Sequence, residues 1–291
     1  MVEFRDYQIQ IIEKAKGVLQ AHRFVYLSME VRTGKTLTAL GVAEKLGITN
    51  LLFVTKKKAI GSIEADYKKL MPGYQITVIN YESLHKVTGK FDLLVLDEAH
   101  TLGAYPKPSK RTKLVKEIIL RQNPFVILMS GTPTPESFSQ IYHQVYACPK
   151  NPFIEYKSFY KFAKEYVNVV QKIINSFHIN NYDDGKPAIL DRMKPYMISY
   201  TQKEAGFKSE IREHVLKVKM SELTYNFVKE MREYGIITGK KTKEVILGDT
   251  GVKKMSKIHQ LFSGTVKLEN GKRMITDLSK AKFIRTEFKN K

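Results

Sequence analysis

The segment from residue 24 to residue 47 constrains the fold of this chain more than any other. Phe24–Met29 is an apolar run of strand length, and residues 36–46 follow a helical pattern that Gly47 would end. Residues 28–36, which join the two, read S-M-E-V-R-T-G-K-T. A strand, a tight turn with Gly-Lys-Thr and a helix form an arrangement that cradles nucleotide phosphates, because N–H groups at the turn and at the helix N-terminus face them.

Gly34, Lys35 and Thr36 carry the chemistry of this loop. The lysine ammonium suits the β- and γ-phosphates of a nucleotide, and the threonine hydroxyl can ligate Mg²⁺. The usual phosphate loop has a glycine where this chain has Met29. Thr-Gly-Lys occurs twice more in the sequence, but only here with a hydroxyl residue after it and a strand and helix around it. The loop therefore predicts a nucleotide site that needs a second motif to support it.

Length and cysteine content limit the class of protein. A chain of 291 residues can bury a sizeable core in one large domain or two unequal ones. Cys148 is the only cysteine, which excludes an internal disulfide and a cysteine zinc site. No apolar run approaches the roughly 18 residues of a membrane helix, and Glu3, Asp6 and Glu13 argue against a signal peptide. We expect a soluble, cytoplasmic protein without a membrane partner.

The charge balance points to a polyanionic partner. The chain has 49 lysine and arginine residues and 29 aspartate and glutamate residues, for a formal net charge of +20. Scattered solvated lysines are the simpler explanation, but an excess of this size is typical of proteins that bind a polyanion. Nucleic acid is the expected partner.

Further apolar runs of strand length follow at residues 50–55, 75–80, 91–96 and 125–129, with helix-length stretches between them. Continuous apolar strands separated by helices are typical of an α/β fold with a parallel sheet covered on both faces. Ligands of such sheets lie at the carboxyl ends of the strands. The polar residues that follow each run are therefore the candidates for a site.

Asp97 and Glu98 come directly after the run at residues 91–96, in the sequence D-E-A-H. An acidic pair at the end of a buried strand is costly unless a cation or hydrogen bonds compensate it. In a phosphate-loop enzyme, the first carboxylate holds the Mg²⁺ shell, and a second one orients or deprotonates the attacking water. The alternative is a polar loop that happens to be acidic.

Ser130-Gly131-Thr132-Pro133 follows the next apolar run in the same way. Small hydroxyl residues at this place can reach both His100 and the phosphate region. The same four residue types are also ordinary turn formers, so the motif carries little weight alone. The motif supports a functional site because the loop and the acidic pair also follow apolar runs, at the same predicted edge of the sheet.

Four segments together resemble the superfamily-two helicases and translocases, specifically the Swi/Snf-type branch with its small phage-encoded members. They are Arg5-Asp6-Tyr7-Gln8, residues 29–36, Asp97-Glu98-Ala99-His100 and Ser130-Gly131-Thr132-Pro133. The resemblance implies the ATP-binding, RecA-like phosphate-loop lobe of a DNA-dependent ATPase, and it tolerates Met29, because family members vary at that position. It also implies ATP and Mg²⁺ as cofactors, in the cytoplasm of a bacterium or of a phage's host.

The resemblance assigns roles to individual residues. Gln8 would bind the adenine edge, Thr36 and Asp97 would hold Mg²⁺, and Glu98 would activate the hydrolytic water. The catalytic set is then Lys35, Asp97 and Glu98. The cofactor-binding set is Arg5, Gln8, Val31, Arg32, Thr33, Gly34, Lys35 and Thr36. The residues that would link nucleotide state to domain movement are His100, Ser130 and Thr132.

The expected DNA contacts rest on the same resemblance. They are Thr55 and Lys56 after the second strand, Asn80 and Tyr81 after the third, and Ser109, Lys110 and Arg111 in the basic loop at residues 106–113. Such residues neutralise phosphates without reading sequence, so we expect a monomer that binds duplex DNA independently of sequence. Solvated loop residues are the alternative for any one of these positions.

The character of the chain changes beyond Pro149. We expect an ATP-binding lobe at residues 1–220 with a helical insertion at about residues 150–195, then a helical linker and the start of a second lobe at residues 221–291. The aromatic residues at 153–169 favour a core over base stacking. Residues 211–220 alternate as a strand, and Ser221 would cap the helix after it.

Family members carry a second lobe whose arginines complete the ATP site. No Gly-Arg-x-x-Arg pattern occurs in the 291 residues. By resemblance, a second lobe would have to be supplied in cis or in trans. Without such an arginine, phosphoryl transfer loses orders of magnitude in rate, so we expect ATP binding with weak or absent hydrolysis by this chain alone.

Three functions remain open at this point. The first is a DNA-dependent ATPase and translocase, and the second is a nucleotide-switched DNA-binding module without hydrolysis. The third is an RNA helicase lobe, which would depend on contacts with 2′-hydroxyl groups.

Overall fold

The computed structural model describes residues 3–174, 177–207, 214–239 and 244–289. Their contacts divide the chain into two compact units, Met1–Ser209 and Glu210–Lys291. The boundary between the units lies about ten residues before residue 220, the predicted end of the ATP-binding lobe. The functional assignment of the two parts stays a prediction. No helix within these ranges is long and apolar enough to cross a membrane.

The first unit alternates strands and helices. Its helices are α1 (Asp6–His22), α2 (Lys35–Leu46), α3 (Ile60–Leu70), α4 (Lys110–Gln122), α5 (Ile141–Val145), α6 (Phe159–Tyr166) and α7 (Ala188–Met193). Its strands are β1 (Phe24–Met29), β2 (Asn50–Thr55), β3 (Gln75–Asn80), β4 (Leu93–Leu96), β5 (Phe125–Ser130), β6 (Val170–Ile174), β7 (Phe177–Asn181) and β8 (Met197–Tyr200).

Six of these strands form one parallel sheet in the order β3-β2-β4-β5-β1-β8. The five apolar runs in the sequence correspond to β1–β5, and the predicted α/β fold with a parallel sheet is confirmed. The sequence does not predict β8, because only Ile198 of its four residues is buried and no continuous apolar run marks it. Since all six strands run in the same direction, their carboxyl ends share one edge of the sheet.

Helices cover both faces of this sheet. In β1, Val25 and Leu27 pack in a core with side chains of α1, α2 and α3, whereas Phe24 and Tyr26 pack in a second core with side chains of α4, α5 and α6. Successive residues of a strand point to opposite faces. Both faces are buried, which explains why the apolar runs in the sequence are continuous rather than alternating.

The structure corrects the expected helical insertion at about residues 150–195. The segment contains α6 and α7, but β6 and β7 form an antiparallel hairpin between them. Residues 167–174 read V-N-V-V-Q-K-I-I, and this many β-branched residues favour a strand. The aromatic residues Phe153, Phe159, Phe162 and Tyr166 are buried, which confirms that they belong to a core.

The second unit is smaller and is built from helices and two hairpins. Its elements are α8 (Glu222–Tyr234), β9 (Ile236–Thr238), β10 (Val245–Leu247), α9 (Gly251–Phe262), β11 (Thr265–Lys267), β12 (Arg273–Ile275) and α10 (Ser279–Glu287). The Ser221 hydroxyl accepts a hydrogen bond from the N–H of Thr224, as predicted for the cap of α8. Of the strand expected at residues 211–220, residues 214–220 form no strand, and residues 211–213 lie outside the described ranges.

The core of the second unit offers a test of its independence. Leu261 is fully buried there beside Met231. We expect Leu261→Ala to leave a cavity and to cost the second unit about 2–5 kcal/mol of stability. Hydrogen exchange measured by mass spectrometry should then show faster exchange in α8 and α9 and unchanged exchange in β1 and β5. Met255→Ala, at an exposed position of α9, is the control. Equal loss of protection in β1 would contradict separate cores.

Candidate active site

The loop between β1 and α2 presents backbone N–H groups to solvent. Arg32 and Gly34 have left-handed φ angles of 64° and 77°. The N–H groups of Gly34, Lys35 and Thr36 have no hydrogen-bond partner among the residues that the structure describes. Unsatisfied N–H groups at the start of a helix form an anion-binding arrangement. The geometry of the loop therefore fits the phosphate groups of a nucleotide.

A side chain at position 34 would close this arrangement. A Cβ on Gly34 would lie 2.5 Å from Nε2 of Gln8, and its φ disfavours other residues. The loop opens onto a pocket lined by Val31, Arg32, Gly34, Lys35, Thr36, Leu37 and Asp66. Thr33, a member of the predicted cofactor-binding set, is buried, and its hydroxyl donates to the carbonyl of Glu30 at 2.7 Å.

Lys35 lies inside the loop. Its Nζ donates to the carbonyl oxygens of Met29 at 2.7 Å and of Glu30 at 3.0 Å. Burial lowers the pKa of the Lys35 ammonium, and the negative charges of Asp97, Glu98 and Glu30 oppose this shift. The ammonium is thus held by neutral carbonyl groups and lies in the field of the acidic pair.

The start of α1 supports the loop from behind. Nε2 of Gln8 donates to the carbonyl of Gly34 at 3.3 Å and to Oγ1 of Thr38 at 3.4 Å, and Oε1 of Gln8 accepts the N–H of Arg5 at 3.0 Å. Gln8 is buried. The Tyr7 hydroxyl donates to the carbonyl of Thr33 at 3.1 Å. Gln8 therefore braces the loop between β1 and α2, and its contact with adenine stays a prediction.

The strand order explains how the acidic pair meets its neighbours. β4 lies beside β2, so Oγ1 of Thr55 donates to Oδ2 of Asp97 at 2.7 Å, and Nζ of Lys56 donates to Oε1 of Glu98 at 2.9 Å. Glu98 has a φ of 51°, which is uncommon for a residue with a side chain. Burial raises the pKa of the Asp97 carboxyl, and the Thr55 hydrogen bond opposes that rise.

The Ser130 motif lies between the acidic pair and the loop, because β5 is placed between β4 and β1. Nδ1 of His100 and Oγ of Ser130 are 2.9 Å apart, and Oγ of Ser130 accepts the N–H of Thr132 at 3.1 Å. A Cβ on Gly131 would lie 3.6 Å from Nζ of Lys35. The structure thus brings together the loop, the acidic pair and this motif, as the sequence predicts.

Two of the expected DNA contacts are placed differently. The side chains of Thr55 and Tyr81 are buried, and the Tyr81 hydroxyl donates to the backbone carbonyl of Asp97 at 2.6 Å. Both side chains therefore support the acidic pair instead of facing solvent. The sequence predicts that these residues lie at strand ends, as they do, but it does not predict the faces toward which their side chains point. Lys56, the exposed neighbour of Thr55, remains the candidate contact at that position.

The remaining DNA candidates are accessible to different degrees. Lys110 is exposed, whereas Ser109 accepts the N–H of Thr112 as the cap of α4. Arg111 pairs with Glu82 and lies over the ring of Tyr81, with 4.9 Å from its Cζ to the ring centroid. The Asn80 side chain donates to Glu82 at 2.9 Å.

No sequence motif predicts that Tyr200, the last residue of β8, and Gln202, which follows the strand, touch the loop. The backbone N–H of Gln202 donates to Oε2 of Glu30 at 2.8 Å, and its Nε2 donates to the carbonyl of Val31 at 2.9 Å. The Tyr200 ring stacks on Tyr7 with centroids 4.6 Å apart. Only the position of β8 beside β1 brings these residues to the loop, and no motif in the sequence marks that position.

The chain has a RecA-like lobe of the superfamily-two helicase type, with its strand-end motifs gathered at one edge of the sheet. Its sequence matches the SNF2-related domain family over residues 23–274. The chain belongs to this family, and the resemblance inferred from the four motifs is confirmed at that level.

Two curated relatives are the RNA polymerase-associated protein RapA of Vibrio cholerae serotype O1, from strains M66-2 and ATCC 39315 / El Tor Inaba N16961. Each is 30% identical over 88 residues, which is 30% of this chain and 9% of the relative. The chain thus spans a small part of the length of the curated relatives that it matches.

Similar solved structures include the SWI2/SNF2 ATPase core of Sulfolobus solfataricus. The core in complex with double-stranded DNA has a TM-score of 0.55 and 16% identity, covering 89% of this chain and 58% of that chain. The core domain alone has a TM-score of 0.53 and 15% identity, covering 90% and 57%. At this level of identity, the similarity concerns the fold.

The buried carboxyl of Asp97 leads to a prediction about stability. A carboxyl whose pKa is raised on folding destabilises the folded chain once pH exceeds that pKa, and the effect vanishes below the ordinary pKa of about 3.8. Asn at this position can still accept the Thr55 hydrogen bond. We therefore expect Asp97→Asn to melt at a higher temperature than the native chain at pH 7, with a difference that shrinks toward pH 4.

Thermal denaturation followed by circular dichroism across this pH range tests the Asp97→Asn prediction. Glu64→Gln, at an exposed position of α3, is the control for the loss of one negative charge. A lower melting temperature for Asp97→Asn at pH 7 would mean that attraction between Asp97 and Lys35 outweighs the cost of burial.

Proposed function

We propose that this chain is the ATP-binding lobe of a DNA-dependent ATPase of the helicase or translocase type, hydrolysing ATP to move on or remodel DNA when a second lobe is supplied. One observation carries the proposal. Lys56, the exposed residue expected to contact DNA, pairs directly with Glu98, which is expected to act on ATP, and the buried side chains of Thr55 and Tyr81 hold Asp97 beside it. Family membership and the similarity to a core bound to double-stranded DNA support it.

In this proposal the loop binds the triphosphate. The N–H groups of Gly34, Lys35 and Thr36 donate to phosphate oxygens, and the Lys35 ammonium exchanges its carbonyl partners for phosphate. Arg5 and Gln8 lie beside the loop for the nucleoside part.

The donor set also suits Mg²⁺ bound together with a nucleotide. Among the described residues, no group of three or more His, Cys, Asp or Glu side chains could hold a metal ion. Mg²⁺ is usually held by one or two protein oxygens together with phosphates and water. Thr36 and Asp97 would supply those oxygens, and the ion, when bound, neutralises charge on the phosphates.

Glu98 would accept a proton from the attacking water, since it is partly exposed at the same strand end. His100 touches both Glu98, at 3.4 Å, and Ser130, at 2.9 Å, and so connects the acidic pair with β5. Through Ser130 and Thr132, this connection would transmit the nucleotide state to the part of the protein that moves.

DNA would reach the same residues through Lys56. A DNA phosphate that binds the Lys56 ammonium competes with Glu98 for it and leaves the carboxylate to act on water. Binding through backbone phosphates is independent of sequence. Action as a monomer, a cytoplasmic location and a phage-related origin remain predictions.

The nucleotide part of the proposal is tested by two substitutions. Lys35→Ala should weaken ATP binding roughly ten- to hundredfold, because a charge-assisted contact is lost. Glu98→Gln should keep ATP binding and abolish any hydrolysis. Fluorescent ATP-analogue binding and phosphate release, each with duplex DNA, single-stranded DNA or RNA, measure both effects. Unchanged hydrolysis in Glu98→Gln would argue against its role, and stimulation by RNA alone would favour an RNA helicase lobe.

The DNA part is tested at Lys56. Lys56→Ala should weaken duplex binding to a similar extent for all sequences and reduce the slope of log affinity against log salt concentration by about one. Fluorescence anisotropy at several salt concentrations measures both quantities. Lys68→Ala, at an exposed position of α3, is the matched control. An effect that depends on DNA sequence would contradict a backbone contact.

A further inference from the structure

A concave pocket of about 560 Å³ lies in the first unit and shares no lining residue with the pocket over the phosphate loop. Its floor includes Tyr142, His143 and Phe159, which are buried. The His143 ring stacks on Phe159 with centroids 5.5 Å apart. The deep part of the pocket is therefore aromatic.

The floor carries no charge at neutral pH. Burial lowers the pKa of His143 to about 4, so its ring is neutral at pH 7. Nδ1 of His143 lies 2.6 Å from the carbonyl oxygen of Ala104, and a neutral ring in this position donates that N–H.

Three tyrosines at the wall of the pocket reach solvent. Tyr146 and Tyr156 are partly exposed, and 46% of Tyr160 is exposed. The Tyr160 hydroxyl has no hydrogen-bond partner in the part of the chain that the structure describes. Tyr146 and Tyr156 pack against the core on one side, and the exposed parts of the three rings offer accessible aromatic surface.

All charged residues that line the pocket are lysines, namely Lys107, Lys113, Lys116 and Lys157. None of them forms an ion pair with a described carboxylate. Nζ of Lys116 lies 4.5 Å from the centroid of the Tyr146 ring. Unpaired cations beside accessible aromatic rings match a ligand that is both anionic and flat.

We propose that this pocket binds an unpaired nucleotide of a DNA strand, with the base against the tyrosines and the flanking phosphates at the lysines. Each nucleotide of a strand carries one flat ring and one phosphate, and base–aromatic stacking tolerates any base. Residues 106–108, which line the pocket, lead directly to Ser109, Lys110 and Arg111, the proposed contacts with the DNA backbone. The inference rests on the proposed function, and it adds a site for single-stranded DNA beside the duplex contacts.

Tyr160→Ala tests the stacking. Loss of one stacked base should weaken binding of a single-stranded oligonucleotide roughly tenfold, while Tyr160→Phe should bind as the native chain does. An otherwise identical oligonucleotide with abasic sites should bind Tyr160→Ala and the native chain equally, because it has no base to stack. Tyr234→Ala, at an exposed position of the second unit, is the matched control. Fluorescence anisotropy measures all of these affinities.

The phosphate contact is tested by Lys157→Ala, which should weaken binding of the intact and the abasic oligonucleotide alike, with Lys68→Ala as control. An equal loss of affinity for both oligonucleotides in Tyr160→Ala, or no loss for either, would overturn the inference. Competition by polyglutamate as strong as that by DNA would also overturn it, because the pocket would then bind acidic polymers in general.

Duplex DNA separates this inference from the proposed function. If the native chain binds duplex DNA and Tyr160→Ala does not weaken binding of the single-stranded oligonucleotide, only the proposed single-stranded DNA site is rejected. Failure of the native chain to bind any of these nucleic acids would reject the proposed function itself.

Discussion

The parallel alignment of β4, β5 and β1 is the constraint on which the candidate site depends. Because these strands are neighbours and run in the same direction, their carboxyl ends bring three short motifs to one edge of the sheet. The motif after β5 lies between the other two, so Ser130 reaches His100 while Gly131 lies against Lys35. A different strand order would separate these residues even if each motif were intact.

The carboxyl edge of the sheet holds the ionisable side chains of Asp97 and Lys35 in partly buried positions, where a charge is unfavourable. Burial raises the pKa of Asp97 and lowers the pKa of Lys35, so both groups resist their charged forms. The hydrogen bond of Asp97 with Thr55 and those of Lys35 with two backbone carbonyls offset part of this cost. Perturbed groups of this kind cluster at functional sites, because the same burial that destabilises them strengthens their interaction with a bound ligand.

Much of the sheet and site could be predicted from sequence, for identifiable reasons. Strands buried on both faces leave continuous apolar runs, and polar motifs at their ends mark the shared edge; both are local signals. The directions of the Thr55 and Tyr81 side chains could not be predicted from local sequence. Neighbouring strands decide whether such side chains face solvent or Asp97. β8 is not predicted because it has one buried residue and no apolar run, and the hairpin of β6 and β7 is not predicted because the strand preference of β-branched residues depends on what they pack against.

The ion pair between Lys56 and Glu98 shows how weak contacts serve the proposed coupling. Its side chains are 57% and 33% exposed, and such pairs contribute about 0–1 kcal/mol. In the proposed function, a single DNA phosphate would be enough to break so weak a pair, whereas the part-buried hydrogen bond between Thr55 and Asp97 would stay in place. DNA binding would therefore release Glu98 without disturbing the carboxylate proposed for Mg²⁺. In the proposed mechanism, Glu98 has to be released and recaptured while Asp97 keeps its hydrogen bond. This is possible because the Lys56–Glu98 pair is exposed, whereas the Thr55 side chain that holds Asp97 is buried.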